Sequence, residues 1–555
     1  MRKLTIRAAL LATAVLGAAA LPAEGVADGA LQAPLLPASY CVAPAGETPQ
    51  QAEAAAPAPV LMEGLGHAGI EADSDDADAR AWFAQGVRLI WAFDEAEAIR
   101  AFRQAQRADP NCALCHFGEA WARGPTINLQ PRTDELAAAR AAAGRAAALA
   151  EGLGARDRVL IEGMILRTRA GAAFSNAAYA DYMERAAERM PDDDVIAVMA
   201  ADARMVTWGD RRVRPGTRAQ RLLERVLARN PDHSGAIHFY IHLTDWTDEQ
   251  RLAEPYAERL GRIAPAASHL VHMPSHTFYG IGRYGDAAAA NVAAIAADRA
   301  YLGNVRPPRS DYRYYLNRHN MQFAINSALA RGDGATALAV SDQYRGEYLA
   351  GEVEPASRLL GSATYYARGL HGDALAAPAP DQVFDKAMHH YARGEALARR
   401  GEAAAVRAEA AAIAALRTGT GAPALGERGA QLAEIFQRVL EGRSAMLAGD
   451  HRAAKAAYRA AMNRQLAADF GFDPPLFWYS VRRSLAAAEL AGGNARGARE
   501  QLRASLRRWP NDPLALYALS LAERSLGRGA EADASLARAR AGWAGEVTEM
   551  PLSRI

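Results

Sequence analysis

PDHSGAIHFYIHLTDWTDEQRLAEPYAERLGRIAPAASHLVHMPSHTFYGIGRY, residues 231–284, contains one short pattern twice, 34 positions apart. Pro231 and Pro265 open the two copies, His238 and His272 follow seven residues later, and His242 and His276 stand four beyond those. A fixed period of this length is the signature of stacked helix–turn–helix units. Residues spaced i, i+4 share one face of a helix, with Cβ atoms about 5–6 Å apart. Two neighbouring units therefore present two pairs of imidazoles at equivalent places.

The period extends beyond this stretch. Ala219, Ala253 and Ala287 mark the second helix of three units at the same spacing of 34. Upstream, Trp82, Gly86 and Leu89 fit a first helix, Ala98, Phe102 and Ala105 a second, and Pro110 a stop. Ala454-Tyr458-Ala461, Ala498-Leu502 with Pro510, and Ala532-Leu536-Ala539 repeat the theme near the C-terminus. Closely crossing helices need Ala or Gly where their backbones approach, and heavy use of Ala, Leu, Arg and Glu favours helix intrinsically. The predicted fold is all-α, a tetratricopeptide-repeat solenoid forming a right-handed superhelix. Residues 126–215 and 340–430 are helical by period but fit the consensus poorly. The expected organisation is an N-terminal array over 76–340, a degenerate helical segment over 341–430 and a C-terminal array over 431–546.

The first residues read as an export signal, with Arg2, Lys3 and Arg7 before an apolar stretch from Ala8 to Leu21. Cleavage is expected near residue 20, or as late as Ala27, leaving an exported, periplasmic chain, with a retained membrane anchor as the alternative. No later segment has the 18 or more apolar residues a membrane span requires. Residues 21–75, rich in Ala and Pro, are expected to form a flexible leader. With 64 basic against 63 acidic residues, the formal charge of +1 gives no footprint for nucleic acid.

Four stretches carry a resemblance: DPNCALCHFGEAWARGPTIN (109–128), NPDHSGAIHFYIHL (230–243), APAASHLVHMPSHTFYGIGRYGDAAAAN (264–291) and DPPLFWYSVRRSLAAAEL (473–490). The sequence resembles a family of bacterial tetratricopeptide proteins over most of residues 80–545. The resemblance implies a repeat fold and an exported location, and it implies no activity. Family members carry an aromatic residue where this chain has His116, so the resemblance supports no role for that histidine.

In the register set by Pro231 and Pro265, the paired histidines sit on first helices, whose side chains look into the concave groove in peptide-binding members of the superfamily. Packed helices lie about 8–10 Å apart, so His238, His242, His272 and His276 are expected to converge on one ion. His269, and His319 in the following unit, are expected to point toward the same groove. Neutral imidazole suits Zn, Cu, Fe and Ni alike, with Cu, Zn or Fe the expected ion. The competing reading has these histidines satisfied by Tyr240, Asp245, Tyr279 or backbone carbonyls. Neither pair has the glutamate of a zinc-protease helix, so hydrolysis would need another carboxylate, with Asp245, Asp298 and Asp311 as candidates. Catalysis stays undecided. Pro274 is expected to break its helix.

Cys112-Ala-Leu-Cys115-His116 spells the c-type haem attachment motif. A disulfide or redox pair between Cys112 and Cys115 fits an oxidising compartment equally, and two plain thiols remain a third alternative. A different function class, a peptide- or protein-binding adaptor, would use Tyr312, Arg313, Tyr314, Tyr315 and Arg318 along the groove. Residues 469–483, DFGFDPPLFWYSVRR, are either a lid over that groove or a packed loop between repeats.

Overall fold

Where the sequence repeats, the chain folds into antiparallel helix pairs. Ala77–Trp91 packs on Glu95–Ala108, Arg218–Arg229 on Ser234–Asp245, and Pro513–Ser525 on Gly529–Gly542. Among the described residues the regular structure is α-helix and short 3-10 helix, without strands. The computed structural model describes residues 57–555 apart from 129–132, 170, 172, 209–215, 246, 308–310, 351–352, 354, 469–472 and 549, and omits the side chains of 133–134, 311–315 and 355. The expected signal peptide, most of the leader and the side chains of Tyr312 and Tyr315 lie outside the described residues.

The small residues do the job the sequence assigned to them. A Cβ on Gly86 or Gly118 would come 2.6 or 2.3 Å from the Phe102 ring, so the two glycines let Phe102 fill the space between successive units. Ala219, Ala253 and Ala287 are each fully buried at the helix crossings. The Asp76 side chain accepts from Ala79 N at 2.8 Å, and Asp193 from Ile196 N at 2.9 Å, closing helix N-termini that would otherwise leave donors unpaired. Pro274 breaks its helix as expected, splitting it into Ser268–His272 and Pro274–Gly280. The poorly matching region continues as helical hairpins, including Val383–Arg399 against Ala403–Thr418.

The leader needs correction from residue 57 onward. Leu65 and Ile70 are buried, Met62 N donates to Gln85 Oε1 at 2.7 Å, and Trp91 Nε1 donates to Ala68 O at 3.1 Å. Asp73 accepts from Ala113 N and Leu114 N at 2.9 and 2.8 Å, capping the helix Ala113–Ala122. This strap packs because it carries a few apolar anchors, a signal too sparse to register as periodicity.

One buried pair makes stability pH-dependent. Burial pushes both Glu95 and Asp202 up to about 7; Asp202 raises Glu95 further, while Arg167 draws Asp202 part of the way back down. Their folded-state values exceed the unfolded ones near 4, so the folded chain binds more protons between pH 4 and 7 and loses stability as pH rises through that window. Asp202→Asn is expected to unfold at higher urea than wild type at pH 8, by roughly 2–4 kcal/mol, with the advantage vanishing near pH 4. Urea titrations at the two pH values check this.

Candidate metal centre

Three consecutive first helices bring six histidines together. Ser234–Asp245 supplies His238 and His242, the broken helix supplies His269, His272 and His276, and Asp311–Ala330 supplies His319. All six are buried, with exposures from 0 to 7%. His319 arrives late in sequence because Tyr284–Val305 runs to 22 residues, longer than a 34-residue unit allows. These rings do not look into an open groove, which corrects the sequence expectation. The strap, Phe93 and residues 473–480 come from distant parts of the chain and, with Phe323 on His319's own helix, close over them.

The geometry also divides the expected four-histidine site into two histidine triads, His238/His242/His269 and His272/His276/His319, and places His276 in a further group with Asp245 and Asp473. The triads adjoin: His269 and His272 ring centres are 5.9 Å apart, and those of His242 and His276 are 6.3 Å apart.

In the first triad, His238 Nε2 lies 3.0 Å from His269 Nε2 and 3.1 Å from His242 Nε2. His238 Nδ1 lies 2.7 Å from the Trp91 carbonyl oxygen, which can only accept, so Nδ1 carries the proton and Nε2 presents a lone pair. Burial pushes His238 down to about 3, so the ring is neutral. Its single in-plane lone pair faces two neighbouring nitrogens. His269 Nδ1 is buried without a hydrogen-bond partner.

The second triad is built the same way. Asn291 Nδ2 donates to Ala287 O at 2.8 Å, which turns Oδ1 toward His272 Nδ1 at 2.6 Å. His272 therefore protonates at Nδ1 and aims its Nε2 lone pair at His276 Nε2, 2.8 Å away. His276 Nδ1 sits 3.0 Å from Asp245 Oδ2 and 3.1 Å from Asp473 Oδ1, and His319 Nε2 lies 3.5 Å from Asp473. Burial alone would depress His276, but Asp245 and Asp473 outweigh it and hold the ring well above its usual range. Burial, followed by the neighbouring imidazoles, keeps His269 and His272 well below theirs.

Each triad has a phenylalanine that touches all three of its rings, and Phe239 also stacks on His238 at 5.3 Å. Phe93 packs on His238, His242 and His269 at 4.4–5.8 Å between centres, and Phe323 meets His272, His276 and His319 at 5.2–5.7 Å. Phe93 adopts φ 55°, a left-handed conformation unusual outside glycine, and this turn delivers its ring to the histidines. A small cavity of about 40 Å³, lined by Leu65, Phe93, Ser268, His269, Asp298 and Tyr301 among others, reaches the first triad.

Of the candidate carboxylates, Asp245 belongs to the site. Asp298 instead accepts from Asn317 Nδ2 at 2.8 Å and lines the pocket, while the Asp311 side chain lies outside the described residues. Asp473 had no local signal as a ligand; it arrives on the segment read as a lid or loop. There Leu476, Phe477, Trp478 and Tyr479 are core residues.

Cys112 and Cys115 are joined as a disulfide, with Cα atoms 5.3 Å apart, and both are fully buried. His116 is partly exposed with Nε2 3.3 Å from Pro110 O. Arg318, expected along the groove, is buried and donates to Ser357 Oγ.

No family model and no curated protein matches this sequence. Solved structures that align with it include a human IFIT1 dimer with PPP-AAAA, at 12% identity over 77% of this chain and 90% of that one, with a TM-score of 0.29. The P58(IPK) TPR domain aligns at 12% identity over 81% of this chain and 99% of that one, TM-score 0.22. Naa15/Naa10 bound to HypK-THB aligns at 13% identity over 86% and 90%, TM-score 0.20. The superpositions are too loose to carry anything those proteins bind over to this chain.

Proposed function

We propose that this chain is an exported metal-binding repeat protein in which two transition-metal ions, of Cu, Zn or Fe, occupy the adjoining triads. The observation that carries the reading is the His238 lone pair, fixed by the Trp91 carbonyl and placed 3.0 and 3.1 Å from two other ring nitrogens. One lone pair cannot accept two linear hydrogen bonds, whereas a cation between the three nitrogens satisfies all of them. Tetrahedral Zn–N bonds of about 2.0–2.1 Å put ligand nitrogens roughly 3.3 Å apart, close to the spacing here. The Trp91 carbonyl, Asn291 and the two aspartates are the outer partners that orient imidazole ligands at such sites. Asp245 and Asp473 offset cationic charge in the second triad.

The cavity of about 40 Å³ beside His269 leaves the first triad room for a few water-sized ligands. The haem reading has its two cysteine sulfurs taken up by each other, and of the adaptor residues Arg318 is buried while the side chains of Tyr312, Arg313, Tyr314 and Tyr315 lie outside the described residues.

Elemental analysis after purification and reconstitution tests the reading. The expected content is close to two ions per chain, falling to none after chelation and returning on reloading. Protein that stays empty in the presence of excess Cu, Zn and Fe would overturn it.

A further inference from the structure

The seam between the two histidine triads is scarcely wider than the spacing inside either one. Ring centres across it are 5.9 Å apart for His269 and His272 and 6.3 Å for His242 and His276, while rings within a triad are 4.7–6.1 Å apart. His269 and His272 stand three positions apart on one short helix, Ser268–His272, and so share its face. Sites that hold two metal ions place them about 3.5–4 Å apart, close enough to share one bridging ligand. Two ions seated in these triads are neighbours of that kind.

The ligand set narrows the chemistry. Each triad offers three imidazoles and leaves a fourth position open, the arrangement of reactive rather than structural metal sites. Carboxylate- and water-rich sets suit Mg, Ca and Mn, whereas imidazole suits copper. The first triad contains no carboxylate, and three neutral nitrogens bring no negative charge to the ion. Such a seat suits the singly charged cuprous state.

The cavity beside His269 limits what can arrive. It measures about 40 Å³, and a water needs about 10–15 Å³ of such space. A molecule of two or three heavy atoms fits there, and an organic substrate does not. Leu65, Leu89, Ala92, Phe93 and Leu316 make up much of the wall. Among its polar members, Ser268 Oγ donates to Ala294 O at 2.9 Å and Asp298 accepts from Asn317 Nδ2 at 2.8 Å. A chamber of this size and lining suits a small apolar molecule better than an ion.

His269 joins the two features, since it belongs to the first triad and also lines the chamber. Its Nε2 lies 3.0 Å from His238 Nε2, and its buried Nδ1 has no hydrogen-bond partner. With Nε2 turned to the ion, Nδ1 keeps the proton and can donate it to a bound oxygen atom.

We propose that the two triads form one coupled dicopper centre that takes up dioxygen from this chamber. The inference rests on the metal-binding reading and adds the ion and its ligand. Each cuprous ion gives up one electron and dioxygen gains two. The O–O bond order falls from two to one, and a copper–oxygen bond forms to each cupric ion. No proton and no further reductant enters this step.

Anaerobic loading of the full chain with Cu(I), followed by exposure to dioxygen, tests the assignment. The expected uptake is one dioxygen per pair of coppers. Most of the cupric electron paramagnetic resonance signal should be lost, because two cupric ions that share a bridge pair their spins. His238→Ala/His242→Ala, which keeps the second triad, should retain one copper and show its full signal after chemical oxidation. Leu89→Phe, which narrows the chamber, should slow uptake severalfold at unchanged copper content. Two coppers per chain with an undiminished cupric signal, or with no dioxygen uptake, would overturn the proposal and leave the metal-binding reading standing. An uptake rate that Leu89→Phe leaves unchanged would overturn the chamber's part in it. A chain that takes up no copper, zinc or iron would overturn both readings.

Discussion

Replacing His272 and His276 together by alanine is expected to remove about one of the two ions and leave the other, and replacing His238 and His242 should do the reverse. The expectation follows from the separation into triads, each with its own outer partners: Trp91 for the first, and Asn291, Asp245 and Asp473 for the second. The two pairs of substitutions differ in a second respect. In metal-free protein His276 is the cation between two buried carboxylates, so its loss leaves Asp245 and Asp473 facing each other with His319 as the nearest imidazole. Breaking a buried ion pair in this way costs about 3–5 kcal/mol. His238 is neutral at any pH above about 3, and its removal deletes only packing and a hydrogen bond. Thermal unfolding in chelator should therefore rank the His272/His276 variant well below the His238/His242 variant, while metal content falls by similar amounts in both. Asn291→Leu should weaken the second ion about 10–100-fold, as loss of an outer-shell partner does. Loss of both ions from either double variant would show one indivisible centre and overturn the division.

The repeat made half of this site legible. A period of 34 places His238 and His272, and likewise His242 and His276, at equivalent points on neighbouring helices, and the Ala219, Ala253, Ala287 register holds because those crossings have no room for a larger side chain. Local pattern could not say what lies above the helices. A first-helix residue points toward the concave side whether that side is open or filled, and here the filling comes from residues 57–76 and 473–480, outside the helical pattern. Hence the rings meet a strap and a loop where an open groove was expected, and they lie in two triads where convergence on one ion was expected. His319 was anticipated as an additional ligand, but its distance could not be read because the intervening helix is lengthened. Asp473 and Trp91 act through contacts made only on folding, the latter through a backbone carbonyl that any residue would supply. Phe93 reaches the first triad through a left-handed turn that its residue type disfavours. A buried cluster is assembled by tertiary contact, and a sequence period reports only the part contributed by the repeats themselves.

The turn that follows His276 provides the sharpest test of how the central repeats depend on the C-terminal array. Gly282 has φ 81°, and a Cβ there would fall 1.9 Å from Pro510 O and 2.6 Å from the Pro510 carbonyl carbon. These are backbone atoms of another turn and cannot swing aside as a side chain can. The turns are further joined by the Tyr284 hydroxyl donating to Pro510 O at 3.0 Å and by Asn511 Nδ2 donating to Ile281 O at 3.2 Å. Gly282→Ala must therefore bear the left-handed strain and separate two docked turns. The expected loss is about 3–5 kcal/mol, in the range reserved for strain combined with a steric clash. Gly449→Ala is the matched control, because Gly449 has φ 75° with nothing within 4 Å of its built Cβ. Strain alone should cost that variant about 1–2 kcal/mol. Urea unfolding of the two variants measures the difference directly. Metal affinity of the second triad should fall in Gly282→Ala as well, since His276 is carried on Pro274–Gly280 and the turn fixes where that helix ends. Equal destabilisation in the two variants would mean that the Pro510 turn yields freely and that the C-terminal array does not brace the histidine-bearing repeats.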